Sequence, residues 1–218
     1  MIRRTAFLAL VLLTAAGCGE RAPADAPAAA NRSKAPEKAP PPPPQTDTPR
    51  VRLETGAGAI VVELDGRRAP VTTANFLAYV DQRRFDGTSF YRAARTSGAP
   101  ERGFIQGGIR RTARRALPRI AHEPTSETGL RHRDGTISMA RMEPGTAMGD
   151  FFITLGAMPS MDADAEDPGF AAFGRVVEGM DVVRRILAAE TVANAGRGAM
   201  RGQMIEAPVR IVSARRAD

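Results

Sequence analysis

One cysteine, Cys18, stands in a chain that has no tryptophan, two histidines and, among its 31 basic residues, only two lysines. A single thiol cannot form an internal disulfide. His122 and His132 have no cysteine to join them, which excludes a His/Cys zinc cluster and leaves a mixed histidine and carboxylate site weakly supported, so no metal is expected. The chain lacks a Gly-x-x-x-x-Gly-Lys-Ser/Thr loop, and its Gly56-Ala57-Gly58 sits between two strand-like runs, where it cannot cradle a phosphate. It also lacks a Gly-x-Ser-x-Gly elbow, and the serines near His132 show no spacing that marks a hydrolase triad. The acidic run 162–167 does not have the ligand order of a calcium cage and reads as a solvated loop. No cofactor is implied.

What is present suits one ordinary domain with attachments: 218 residues, 43% of them hydrophobic and 25% charged. The net charge of +7 raises the question of a nucleic-acid partner. The arginines are scattered from end to end, however, and the densest run, 110–119, has no interleaved aromatic to stack on a base. A solvated, arginine-biased surface is the reading, with no nucleic acid.

Two segments precede the domain. Arg3 and Arg4 are followed by an uncharged stretch over 5–17, within the ~7–15 residues of a signal-peptide core and short of the ~20 that span a bilayer. The run ends in Ala15-Ala16-Gly17-Cys18 and resembles a bacterial lipoprotein signal, in which the cysteine becomes the lipidated first residue. The resemblance implies export, periplasmic residence and membrane attachment through Cys18. Gly19 beside it slightly favours the outer membrane. Nine of the 17 prolines fall within 19–49, including the unbroken 40–44, and such a run favours extended polyproline II as a semi-rigid spacer. The expected divisions are 1–17 signal peptide, 18–49 lipidated terminus and linker, and 50–218 folded domain.

Within 50–218, "VRLETGAGAIVVELD" alternates on both sides of its glycines as a β-hairpin does. After Pro70, the residues Val71, Ala74, Phe76, Leu77 and Val80 fall at helical spacing, with Thr72 or Thr73 available as a cap. Short apolar runs between turn signals follow at 89–92, 104–106, 136–139, 151–154, 173–177 and 209–214, a spacing that suggests a closed antiparallel sheet. A second helix fits 180–189, with Val182, Val183, Ile186 and Leu187 on one face.

Five stretches then carry a family resemblance: "FDGTSFYR" at 85–92, "FIQGG" at 104–108, "GTISMAR" at 135–141, "DFFITLG" at 150–156 and "FAAFGRVVEGMDVV" at 170–183. Their order and spacing resemble the cyclophilin-type peptidyl-prolyl isomerases over essentially 50–216. That resemblance implies a mainly β fold, a closed eight-stranded antiparallel barrel capped by two α-helices. It also implies a monomer that catalyses cis/trans rotation of X-Pro bonds in unfolded or partly folded polypeptides. Arg92 matches the catalytic arginine, Gln106 the glutamine that orients it and binds substrate backbone, and Phe152 the floor of the proline pocket. Phe104, Asp150, Met161 and Phe170 fall at substrate-binding positions, and Ala140 and Arg141 continue the strand that pairs with bound peptide. The chain departs from the pattern in several places. Residues 93–103 form a longer excursion than usual, and Gly103 stands where a second pocket phenylalanine is expected, with Phe104 able to substitute if the backbone shifts. Tyr91 replaces a histidine, Asp150 a glutamine and Phe170 a rim histidine. Ser160 replaces the tryptophan of cyclosporin-sensitive members, which implies weak cyclosporin binding. A tethered peptide-binding module or holdase without turnover is the alternative.

Overall fold

The computed structural model describes residues 48–110 and 112–217. The leader, Cys18 and all of the linker before Thr48 lie outside the described residues. Among the described residues nine strands form one antiparallel sheet: β1 (Arg50–Thr55), β2 (Gly58–Leu64), β3 (Ser89–Thr96), β4 (Ala99–Gly108), β5 (Thr136–Met139), β6 (Asp150–Leu155), β7 (Ala171–Glu178), β8 (Thr191–Val192) and β9 (Met204–Ala217). Their order is β1-β2-β7-β5-β6-β4-β3-β9-β8, and a further β1–β9 pairing closes eight of them into a barrel. The two-residue β8 pairs only with β9. Closure removes the exposed strand edges that a flat sheet of this size would carry.

Strand alternation divides the barrel. Ile105, Ile137 and Ile153 occupy one ladder row and are fully buried in the interior. Phe151, Met139 and Phe90 fill the next inward positions. Helix α1 (Pro70–Asp81) closes one end by driving Phe76 against Phe85, Phe151 and Phe173, with ring centroids 5.0–5.3 Å apart. Tyr79 of the same helix stacks on Phe85. Helix α3 (Met180–Leu187) buries Val182, Val183, Ile186 and Leu187, the face that its periodicity predicts.

Three local features differ from the sequence reading. Neither Thr72 nor Thr73 caps α1. The carboxylate of Glu123, some fifty residues away, accepts the Val71 N–H at 3.0 Å, the Thr72 N–H at 2.7 Å and the Thr72 hydroxyl at 2.6 Å. A full negative charge on the first-turn donors also meets the positive end of the helix dipole, which a threonine hydroxyl cannot do. Second, a third helix, the single turn α2 (Thr125–Thr128), joins the two expected, and its C-cap Gly129 takes the left-handed conformation. Third, 93–103 is not a free excursion. It lengthens the β3–β4 hairpin to a tip at Ser97-Gly98, and Pro100, Glu101 and Arg102 bulge out between the Arg95↔Gly103 and Thr96↔Ala99 pairs. A bulge is where a strand tolerates proline, because no ladder donor is required there. Arg95 in this extension donates to the Leu187 and Ala189 carbonyls and so ties β3 to the C-terminus of α3.

Candidate active site

One ladder row on the outer face of the barrel gathers the predicted chemistry. Arg92 on β3 is opposite Gln106 on β4, Gln106 opposite Phe152 on β6, and Phe152 opposite Ser138 on β5. Their inward neighbours are the buried isoleucines, so the core itself holds this row in register.

Arg92 is constrained from three sides. Its Nε donates to Gln203 Oε1 at 2.8 Å, its Nη1 to Gln106 Oε1 at 2.9 Å, and its Nη2 reaches the Ala199 carbonyl at 3.5 Å. A guanidinium has five N–H donors. Three are engaged, which leaves one on each terminal nitrogen. The guanidinium carbon lies 4.8 Å over the Phe104 ring, and the same ring is 5.4 Å from Phe152. Burial pulls the Arg92 pKa below its ordinary value, partly opposed by Tyr91. A guanidinium stays cationic under such a shift, and a poorly hydrated cation gains more from each donor that it aims.

Phe104 reaches the pocket without any backbone shift. The β4–β6 register is continuous from Gly103↔Leu155 to Gly108↔Asp150, so Phe104 and Gln106 share the outer face by simple alternation. Gly103 belongs to the opposite face. Its φ is +139°, and a Cβ there would stand 2.0 Å from the Ala94 carbonyl oxygen. No pocket phenylalanine can occupy that position in this backbone.

Phe152 is the centre of an aromatic box. Phe170 meets it edge-on at 5.3 Å, and His132 stacks on it at 5.8 Å with the planes 13° apart. Met161, in the 3-10 turn Pro159–Met161, accepts the Phe170 N–H at its carbonyl and so seats the rim. Arg141 is absorbed in the same rim: its Nε donates to the Gly169 carbonyl at 2.8 Å, its Nη2 to Asp167 at 3.2 Å, and its guanidinium lies 5.0 Å over Phe170. Strand β5 is assigned only to Met139, but the Ala140 N–H still donates to the Asp150 carbonyl at 2.9 Å, in register with the Met139↔Phe151 pair. Asp150 itself is buried, and its Oδ1 accepts the Arg110 N–H at 2.7 Å.

Gln203 and His132 have no sequence signal. Gln203 is 111 residues from Arg92 and belongs to no motif. His132 forms, with Asp162 and Ser138, an arrangement that spacing did not mark: Nδ1 is 2.7 Å from Asp162 Oδ1 and Nε2 is 2.9 Å from Ser138 Oγ. Because a carboxylate only accepts, Nδ1 carries the proton and Nε2 accepts the serine hydroxyl. This is the hydrogen-bond order of a hydrolase triad, yet Ser138 is 0% exposed beneath the sheet residues around it, and no carbonyl can approach its Oγ. The assembly instead backs Phe152. Burial lowers the His132 pKa, outweighing the opposite pull of Asp162, whose other oxygen is 3.7 Å from Arg131. The folded state therefore prefers neutral His132. Its stabilising effect is complete above the unfolded histidine pKa of about 6.5 and is lost as pH falls from there through the lower folded value. Melting temperature should drop on acidification below about pH 6.5, and His132→Gln should flatten that part of the curve; a profile unchanged by the substitution would contradict it.

Comparison with known proteins gives the family and the fold. The family model described as cyclophilin type peptidyl-prolyl cis-trans isomerase/CLD matches residues 50–216. A peptidyl-prolyl cis-trans isomerase of Streptomyces antibioticus is 37% identical over 150 residues, covering 67% of this chain and 87% of its own. Peptidyl-prolyl cis-trans isomerase A of Dickeya dadantii is 36% identical over 142 residues, covering 65% and 72%. A solved cyclophilin type isomerase of Cryptosporidium parvum superposes with TM-score 0.63 at 20% identity, covering 78% of this chain and 98% of that one. A second structure of that protein was determined in the presence of the dipeptide Ala-Pro.

Proposed function

Given that the chain belongs to the cyclophilin-type peptidyl-prolyl cis-trans isomerases, we propose that the outer-face row of Arg92, Gln106 and Phe152 is its catalytic groove and that its substrates are proline-containing segments of exported proteins. Rotation about an X-Pro bond breaks no covalent bond, so neither nucleophile nor metal is required, but the barrier is ~18–20 kcal/mol because the planar amide is conjugated. As the amide twists, the proline nitrogen recovers its lone pair. A donor aimed at that nitrogen is worth more in the twisted state than in the planar one, which is the condition for catalysis.

The observation that carries this reading is the Arg92 fork, held with its carbon 4.8 Å over the Phe104 ring, with one donor left on each terminal nitrogen and an aromatic floor at Phe152 beside it. In the proposed pose the proline ring rests on Phe152, walled by Phe104, Phe170 and Met161. Gln106 and the backbone near Ala140 and Arg141 hold the flanking peptide, and Arg92 addresses the nitrogen. A charge-assisted hydrogen bond of ~1.5–3 kcal/mol supplies about one to two powers of ten in rate. Positioning and exclusion of water supply the rest.

The proposed setting is a periplasmic, membrane-anchored lipoprotein, acting as a monomer at the end of its proline-rich spacer. Among the described residues no helix is long and apolar enough to cross a membrane, so attachment in this reading falls to acyl chains on Cys18. Stable anchoring takes more than one chain and does not depend on surface charge. Full-length protein should stay with membranes washed in strong salt, whereas Cys18→Ser should appear in the soluble periplasmic fraction. Release of the wild type by salt would mean electrostatic attachment instead.

A further inference from the structure

The Gln106 amide has two ends, and Arg92 uses only one. Arg92 can donate and never accept, so the Gln106 end facing it must be the oxygen, which turns the NH2 group the other way. That NH2 donates to the Tyr91 hydroxyl oxygen at 2.9 Å, a contact buried within the sheet. Tyr91 occupies the bulge between the Phe90 and Arg92 pairs on β3, and its hydroxyl is buried against the Gln106 amide of the row. Having accepted at its oxygen, the phenol must send its own proton elsewhere. The acidic side chain beside it is Asp150, held at the head of β6 by the Arg110 N–H, with the Arg110 guanidinium 5.5 Å over the Tyr91 ring. Burial first, and the negative charge of Asp150 after it, raise the phenol pKa, so the proton stays on tyrosine.

We propose that Tyr91 is a positioning residue of the isomerase: a one-way chain in which Tyr91 fixes the Gln106 amide and Gln106 fixes the Arg92 fork. A water or a second rotamer at any link would let the amide flip, and a flipped Gln106 presents NH2 groups to a cation. The chain therefore acts on the place of the guanidinium, which matters only when the amide is twisted, and little on ground-state binding. This rests on the groove reading above, and the test includes Arg92→Ala so that the two fail separately.

The experiment uses the full chain with a saturable X-Pro peptide, and measures kcat, KM, melting temperature and the Arg92 Nε–H nitrogen resonance. Tyr91→Phe keeps the ring and removes one hydroxyl. It should lower kcat about tenfold, the equivalent of one buried hydrogen bond. KM should change by less than about twofold, because ground-state binding is not its target. The Arg92 resonance should shift or broaden. If Arg92→Ala lowers activity by about one to two powers of ten while Tyr91→Phe keeps wild-type kcat, the relay is wrong and the groove stands. If Arg92→Ala itself is fully active, the groove reading falls and the relay with it. A Tyr91→Phe loss confined to KM would also overturn the proposal.

Discussion

Arg92→Ala is expected to lower kcat/KM on an X-Pro peptide by about one to two powers of ten while moving the melting temperature by no more than a few degrees. The two halves of this expectation come from different parts of the structure. Rate is lost because the proposed pose aims the donors left on the two terminal nitrogens at the proline nitrogen, and neither Gln106, Phe152 nor Ser138 of the same row carries a charge that could replace them. Stability is spared because Arg92 lies on the outer face, only half-buried, where water can reach the Gln106 and Gln203 oxygens that it leaves. Arg92→Lys should fall well short of restoring activity, since an ammonium offers a point charge where the site holds a flat fork over Phe104. Paired kcat/KM and melting measurements check this. Comparable activity in the alanine variant would remove Arg92 from the mechanism.

The largest effect on stability is expected at Gly103. Its φ of +139° is a conformation that side chains resist, and the Cβ of an alanine there would meet the Ala94 oxygen at 2.0 Å and the Arg95 Cα at 3.0 Å. Both are backbone atoms of the paired strand, so no rotamer relieves the clash. Strain of ~1–3 kcal/mol and overpacking of similar size combine to about 3 kcal/mol or more, roughly 6–12 °C in melting temperature for a domain of this size. Gly98→Ala is the matched control: φ is +77° at the hairpin tip, and nothing lies within 4 Å of the added carbon. It should cost only the conformational part, about 1 kcal/mol. Equal effects at the two sites would mean that the hairpin adjusts freely.

Gly103 also shows how far the sequence could be read. Aligned by counting from Gln106 it looks like a missing pocket residue, whereas alternation along β4 turns it to the opposite face and gives the pocket to Phe104. Counting finds the motif; only the ladder decides the face. The hairpin, the two long helices and most of the short strands are legible because each is specified by a local period or a turn residue. The extension of β3 and β4 is not, since Ser97-Gly98 and Pro100 read as breakers and only the bulge at 100–102 reconciles them with pairing. Long-range partners are illegible for the same reason. Glu123 at the start of α1, Gln203 on Arg92 and Asp162 on His132 are brought together by barrel closure and loop packing, with no spacing in the chain to announce them. Tyr91 and Asp150 stand out in the sequence as departures, and the structure joins Tyr91 to the Gln106 amide.

The central claim is that the groove speeds amide rotation as well as holding proline. Exchange NMR on an Ala-Pro peptide with the full-length protein at saturating concentration measures that directly, because cis and trans signals report binding and interconversion in one experiment. The account predicts bound peptide interconverting faster than about once per second, the lower range of enzyme turnover, against tens to hundreds of seconds when free. Peptide that binds the wild-type groove yet interconverts at the free rate would contradict it and make the protein a proline-binding module.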